Sequence, residues 1–178
     1  MPELPEVETI KGDLRKLILG RKITRVNIYN PKVIRQPKPA LFKQGLEGKR
    51  IKDIFRRGKL LIIALSSGKF LTVHLKMTGQ LVIPGGEKSS RLAFILSGGM
   101  IMDFNDQRLF GELRLIDDWR KLKFVQRLGP EPFGLPYSQF KGMLLKRKTP
   151  IKPLLLDQAF ISGIGNIYAA EILFHAKI

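Results

Sequence analysis

The stretch FRRGKLLIIALSSGKFLTVHL, Phe55 to Leu75, decides how this chain folds. Its apolar run, LLIIAL from Leu60 to Leu65, is about a third of the ~20 residues a membrane-spanning helix needs. Gly and Lys punctuate both of its ends, at Gly58-Lys59 and Gly68-Lys69. A short apolar run bounded by turn residues and followed by the β-branched FLTVHL reads as buried strand rather than helix. The same pattern extends in both directions. Segments of strand character run over Ile23 to Tyr29, Arg50 to Phe55, Leu60 to Leu65, Phe70 to Leu75, Leu81 to Ile83, Leu92 to Leu96, Met100 to Phe104 and Gly111 to Ile116. Their spacing suits an antiparallel sandwich or barrel.

Helical periods flank these strands. Leu4, Val7, Ile10, Leu14, Leu17 and Ile18 predict one face of a leading helix closed by Gly20. Beyond Asp117, the residues Trp119, Leu122, Val125 and Leu128 predict a helix stopped by Gly129, and PEPFGLP from Pro130 to Pro136 reads as a linker. A second, helical unit follows. Ser138 is placed to cap a helix carrying Phe140, Met143 and Leu144, and Thr149-Pro150 to open one carrying Ile151, Leu154 and Leu155. SGIGN, Ser162 to Asn166, turns into a last helix expected to bury Ile167, Ala170, Ile172 and Leu173. The pattern runs on to Ile178 with no stop signal, so the printed chain is expected to be a fragment.

The 178 residues carry 32 Lys and Arg against 15 Asp and Glu, a net charge of +17, which makes a polyanion the first-choice partner. Nucleic acid leads and a membrane surface comes second. The chain has no Cys and two His, so it holds neither a disulfide frame nor a thiolate zinc site, and an intracellular setting is expected.

Against that basic background, MPELPEVETI places Glu3, Glu6 and Glu8 around Pro2 and Pro5. Removal of Met1 ahead of a small residue would expose Pro2 as a secondary α-amine. Such an amine titrates near pH 8, roughly two units below lysine, and is a nucleophile toward an aldehyde-like carbon. Glu3 and Glu6 would serve it in proton transfer. The alternative is a proline-initiated helix whose acids complement its dipole, and from this stretch alone that alternative is the stronger. Lys59 beside Arg56 and Arg57 suits a phosphate clamp or, equally, a solvated basic turn. Met77 and Phe110 suit strand-end core positions. Gly163 and Gly165 would let backbone N–H groups approach a phosphate at a helix start, with Asn166 as a neutral donor.

Taken together, MPELPEVET, FRRGKLL, HLKMTGQL, DQRLFG, LGPEP and LLLDQAFISGIGNIYAAEILF resemble formamidopyrimidine-DNA glycosylase, the bacterial base-excision family for oxidised purines. The resemblance runs over essentially the whole printed length. It implies an α+β chain: an N-terminal β-sandwich with a leading α-helix over 1–129, then a partial helix-two-turn-helix domain over 130–178, with DNA in the cleft between them. It implies a DNA glycosylase and abasic-site lyase acting through an N-terminal proline Schiff base and β,δ-elimination. Pro2 is then the nucleophile, Glu3 and Glu6 the acid/base partners, and Lys59 the phosphate-contacting proton donor. Met77, Arg108 and Phe110 match the trio that fills the space left by an extruded nucleotide. His74, Arg147, Gly165 and Asn166 fall at DNA-contacting positions.

The chain departs from the family at Lys88, Ser89, Ser90 and Arg91, where KHDH is usual, and at Leu109, where a second arginine is usual. The resemblance further implies zinc held by four cysteines downstream of Ile178, with no metal in the printed chain. It also implies a monomer on double-stranded DNA, free of membranes, in the bacterial cytoplasm and associated with the nucleoid. A catalytically silent nucleic-acid-binding module and a basic RNA-binding protein are the rivals. Neither of them needs a free amine at Pro2.

Overall fold

The structure, a computed structural model, describes residues 2–178. The expected removal of Met1 therefore lies outside the described residues. The chain divides into two compact units, one ending at Trp119 and the other running from Arg120 to Ile178, a division that falls ahead of the proline-rich stretch.

In chain order the first unit comprises α1 (Leu4–Ile18), β1 (Ile23–Ile28), β2 (Ile34–Gln36), α2 (Pro39–Leu46), β3 (Ile51–Arg57), β4 (Leu60–Leu65), β5 (Phe70–His74), β6 (Gln80–Val82), β7 (Ser90–Leu96), β8 (Ile101–Asn105) and β9 (Glu112–Ile116). One sheet has the order β1-β7-β8-β6 and the other β2-β9-β5-β4-β3. Every pairing is antiparallel except β2 with β9. This is the expected sandwich.

The LLIIAL run is β4, and five of its six residues are buried. It lies between β3 and β5, which explains why it lacks polar alternation. Each such side chain contributes about 1.5–3 kcal/mol of burial. Leu4, Val7, Leu14 and Ile18 of α1 are buried as the period requires, whereas Leu17 is 42% exposed because it lies at the edge of that stripe. Two elements were not expected. In α2, Phe42 and Leu46, four residues apart, are fully buried and explain why PALFKQGL folds into a helix. The three-residue β2 carries no legible alternation.

The second unit comprises α3 (Lys123–Gln126), α4 (Tyr137–Leu145), α5 (Ile151–Leu156) and α6 (Asn166–His175). Its core is Leu154, Leu155, Phe160, Ile161, Ile164 and Ala169, with Phe140, Met143, Leu144, Tyr168 and Leu173 packed around it. Three expectations need correction. The segment beyond Asp117 is a 3-10 turn over Trp119–Lys121 followed by the four-residue α3, not one helix. The N-caps of α4 and α5 are Pro136 and Pro150 rather than Ser138 and Thr149. A proline ahead of each helix fixes the entering φ without a side-chain bond. Finally, α6 packs through Tyr168, Ala169 and the expected Leu173, leaving Ile167, Ala170 and Ile172 exposed. The small Ala169 is the residue that permits close approach.

Candidate active site

The helix α1 begins where the chain begins. Glu3 is its N-cap, and the Glu3 backbone N–H donates to Glu6 Oε2 at 2.9 Å, while the Glu3 side chain faces the Glu6 N–H in return. This capping box fixes the first turn, with Pro5 inside it. Pro2 is half-buried immediately ahead, Glu3 is 2% exposed and Glu6 is exposed. A chain terminus is ordinarily loose; here the cap and the fully buried Leu4 hold it.

Lys59 reaches the same place from another element. The two-residue loop Gly58-Lys59 joins β3 to β4, and Gly58 has φ 56°, the left-handed conformation that a tight hairpin requires at its first position. Burial pulls the Lys59 ammonium below its ordinary 10.5, while the Glu3 and Glu6 carboxylates oppose that fall. Two acids and one lysine thus share a field at the chain's N-terminus.

Arg56 does not belong to a phosphate clamp. Its side chain is 7% exposed, with Nε 2.8 Å from Glu8 Oε2 and one terminal nitrogen 2.9 Å from the Gly58 carbonyl oxygen. It therefore pins α1 to the loop carrying Lys59. The hydrogen bond from Lys11, then that from Arg56, holds the Glu8 carboxyl below its usual range.

His74 ends β5, opposite Leu60 on one side and Glu112 on the other. Its Nδ1 accepts the Lys76 backbone N–H at 3.2 Å, which leaves the proton on Nε2. Burial, aided by Lys76, pulls its pKa down to about 4 against the opposing pull of Glu112. Glu112 gathers the cations around it: Arg114 at 2.7 Å, Lys76 at 3.5 Å and Arg35 at 3.8 Å. Burial pushes the Glu112 carboxyl up, but Arg114, Lys76 and Arg35 outweigh burial and hold it low. This end of the sheet is cationic, with one neutral N–H donor.

Met77 and Phe110 are 44% and 48% exposed, which removes the core alternative for both. Met77 lies between β5 and β6, and Arg108 and Phe110 between β8 and β9. The exposed Arg108 guanidinium stands 4.8 Å over the Phe110 ring, so the cation and the flat ring act as one stacked tip. Leu109, at the position of the missing arginine, turns back and packs on the core.

In the second unit, Gln158 organises the loop before α6. Its Nε2 donates to the Leu156 and Ile164 carbonyls at 3.0 and 2.8 Å, and its Oε1 accepts the Gly163 N–H at 2.9 Å. The Gly163 N–H expected to meet phosphate is thus held within the loop. Gly165 is the N-cap of α6, and Asn166 is exposed on its first turn. Arg147, past the end of α4, lies 5.8 Å from the Phe160 ring centroid.

Sequence reasoning missed Arg56, Glu112 and Gln158 as organisers. Only the Arg56–Gly58 spacing within FRRGK offered a signal. Among the described residues no group of three or more His, Cys, Asp or Glu could hold a metal ion, so these residues do not fit the family's zinc. No described helix is long and apolar enough to cross a membrane.

Residues 1–113 match the family described as formamidopyrimidine-DNA glycosylase N-terminal domain, and residues 128–178 match the formamidopyrimidine-DNA glycosylase H2TH domain. The formamidopyrimidine-DNA glycosylase of Pelotomaculum thermopropionicum is 45% identical over 186 residues, covering 100% of this chain and 67% of that protein. That of Moorella thermoacetica is 44% identical, covering 100% of this chain and 68% of its own length. The chain thus spans about two thirds of such relatives. Among solved structures, a MutM in complex with DNA containing carbocyclic 8-oxo-G matches with a TM-score of 0.90 and 36% identity over 99% of this chain and 70% of that one. The Lactococcus lactis formamidopyrimidine-DNA glycosylase, non-covalently bound to DNA containing an AP site, matches with a TM-score of 0.89 and 35% identity, again over 99% and 70%.

Proposed function

This chain belongs to the formamidopyrimidine-DNA glycosylase family, and from that premise we propose that it removes oxidised purines from DNA and cleaves the strand at the resulting abasic site. The observation that carries the reading is the common field of Glu3, Glu6 and Lys59 at an N-terminal proline.

The nitrogen of Pro2 attacks C1′ of the damaged nucleoside. The N–C1′ bond forms as the glycosidic bond breaks, and the base leaves with a proton. The amine sheds its proton and the sugar ring opens as the C1′–O4′ bond breaks, O4′ taking a proton; the iminium so formed is cationic without protonation and draws electrons from C2′. Loss of the C2′ proton expels the 3′ phosphate, and a second elimination expels the 5′ phosphate. Glu3, nearly buried at the helix cap, suits proton transfer beside the amine. Lys59, its proton loosened by burial, suits donation to a departing group.

Neutral His74, among the cations gathered by Glu112, suits a position beside a backbone phosphate. Extrusion of the target nucleotide leaves a gap that Met77 and the stacked Arg108–Phe110 tip fill, with Arg108 facing the orphaned base. Asn166, at the positive end of α6, and Arg147 bind phosphates elsewhere on the strand. The work belongs to chromosomal DNA in the bacterial cytoplasm.

Borohydride reduction in the presence of DNA containing an abasic site tests the reading. A covalent adduct that disappears when the N-terminus is acetylated supports Pro2. An adduct formed equally well after acetylation moves the nucleophile to a lysine and overturns the mechanism.

A further inference from the structure

Asp106 is a buried carboxylate that joins the two loops carrying the exposed tip residues. It is 1% exposed. Its Oδ1 accepts the Thr78 hydroxyl and, at 3.2 Å, the Arg108 N–H, while its Oδ2 accepts the Gly111 N–H at 2.6 Å. The Thr78 hydroxyl also accepts from the Arg108 N–H at 3.2 Å, and the Asp106 carbonyl takes Arg91 Nε at 2.9 Å. Thr78 is the neighbour of Met77, and Arg108 and Gly111 bracket Phe110. Each loop also holds one non-glycine residue in the left-handed region, Lys76 at φ 55° and Leu109 at φ 57°. Such conformations persist where their surroundings over-determine them. The donors converging on Asp106 supply that constraint.

We propose that Asp106, acting through Thr78, is a positioning residue that locks Met77 to the Arg108–Phe110 tip, so that all three enter the duplex as one rigid wedge. The proposal rests on the reading of Met77, Arg108 and Phe110 given above. Asp106 itself touches no DNA. Its role is to keep the two loops from responding separately when the base stack pushes against them. A wedge assembled in advance loses little ordering entropy on insertion, which raises its preference for a site that has a gap to fill.

Two variants test this. Asp106→Asn keeps the shape but turns an amide toward donors that need an acceptor, and Thr78→Val removes the hydroxyl that links the loops. The probes are a duplex containing a tetrahydrofuran abasic analogue and the same duplex undamaged, measured by fluorescence anisotropy. The expected result in both variants is a loss of about tenfold in the ratio of the two affinities, the scale for a buried hydrogen-bonding group left unsatisfied. Borohydride trapping on single-stranded abasic DNA, which has no opposite base and needs no wedge, stays within about twofold of wild type. The double variant loses no more than either single one, because both cut the same link.

An unchanged ratio in both variants overturns the proposal. So does a loss that falls equally on undamaged duplex and on single-strand trapping. If Asp106→Asn fails to fold, Thr78→Val decides alone. If wild type traps no adduct, it is the lyase reading that has failed, and the affinity ratio still decides whether the clamp exists.

Discussion

His74 gives a pH dependence of stability that can be calculated and isolated. Its imidazole titrates at about 4 in the folded chain and at 6.5 when unperturbed. The folded value is the lower one, so folding favours the neutral ring. The associated stability is fully present above pH 6.5 and is lost as pH falls toward 4. At pH 5 an unfolded imidazole is largely protonated while the folded one is still largely neutral, a difference worth about 2 kcal/mol relative to pH 7.5. The Glu8 and Glu112 carboxyls, held below 4.5, stay largely ionised across this window. The single tryptophan, Trp119, packs 5.6 Å from Phe55, so its emission in urea reports unfolding of the first unit. Wild type should lose about 2 kcal/mol between pH 7.5 and 5. His74→Asn, whose Oδ1 can still accept the Lys76 N–H, should lose far less. Equal losses in the two proteins would refute a buried neutral His74 and, with it, the uncharged phosphate neighbour proposed here.

Arg108→Ala should cost about 1–3 kcal/mol in binding a lesion duplex and little on undamaged duplex; equal losses on both, measured by anisotropy, would make Arg108 a phosphate residue. Glu8→Gln should weaken the pin between α1 and the Gly58-Lys59 loop, lowering stability by about 1 kcal/mol in urea titration and slowing strand cleavage on abasic DNA. Burial favours the uncharged Lys59 amine, so the alkaline limb of the elimination rate should fall below pH 10.5, and Lys59→Ala, slower throughout, should lack that limb. Gly111→Ala would place a Cβ 2.6 Å from Phe104 Cζ and 2.9 Å from Asp106 Oδ2, so thermal melting should register a loss of about 1–3 kcal/mol.

The sandwich was legible because its strands are short, apolar and separated by Gly or charge, and all eight expected segments form strands within a residue or two of their expected ends. α2 was not, because Pro37 and Pro39 drew attention to a loop while Phe42 and Leu46, its two buried anchors, are too few to establish a period. The inward face of α6 was misread because nearly every residue after Asn166 is apolar, so only contacts with Leu154 and Leu155 could choose the buried side. In the site, Pro2, Glu3, Glu6 and Lys59 were visible as residue types in an unusual setting. For Arg56 the string left a clamp and a solvated turn equally open, because adjacent arginines look alike; its burial and its partner, Glu8, are consequences of how α1 lies on β3. Glu112 and Asp106 had no local signal, since the groups they organise come from strands and loops distant in sequence.

The capping box at Glu3 and Glu6 has a consequence for the order in which the protein becomes competent during synthesis. α1 packs on β3 and β4, and the lysine that shares the field of Glu3 and Glu6 lies on the loop between those strands, made some forty to sixty residues after the helix. Until those strands pair, the proline proposed as nucleophile lacks the neighbours its task would need. On the proposed mechanism, competence waits on the pairing of β4 with β3 and β5, so a ribosome stalled before Leu60 would hold a chain with no organised chemistry around Pro2.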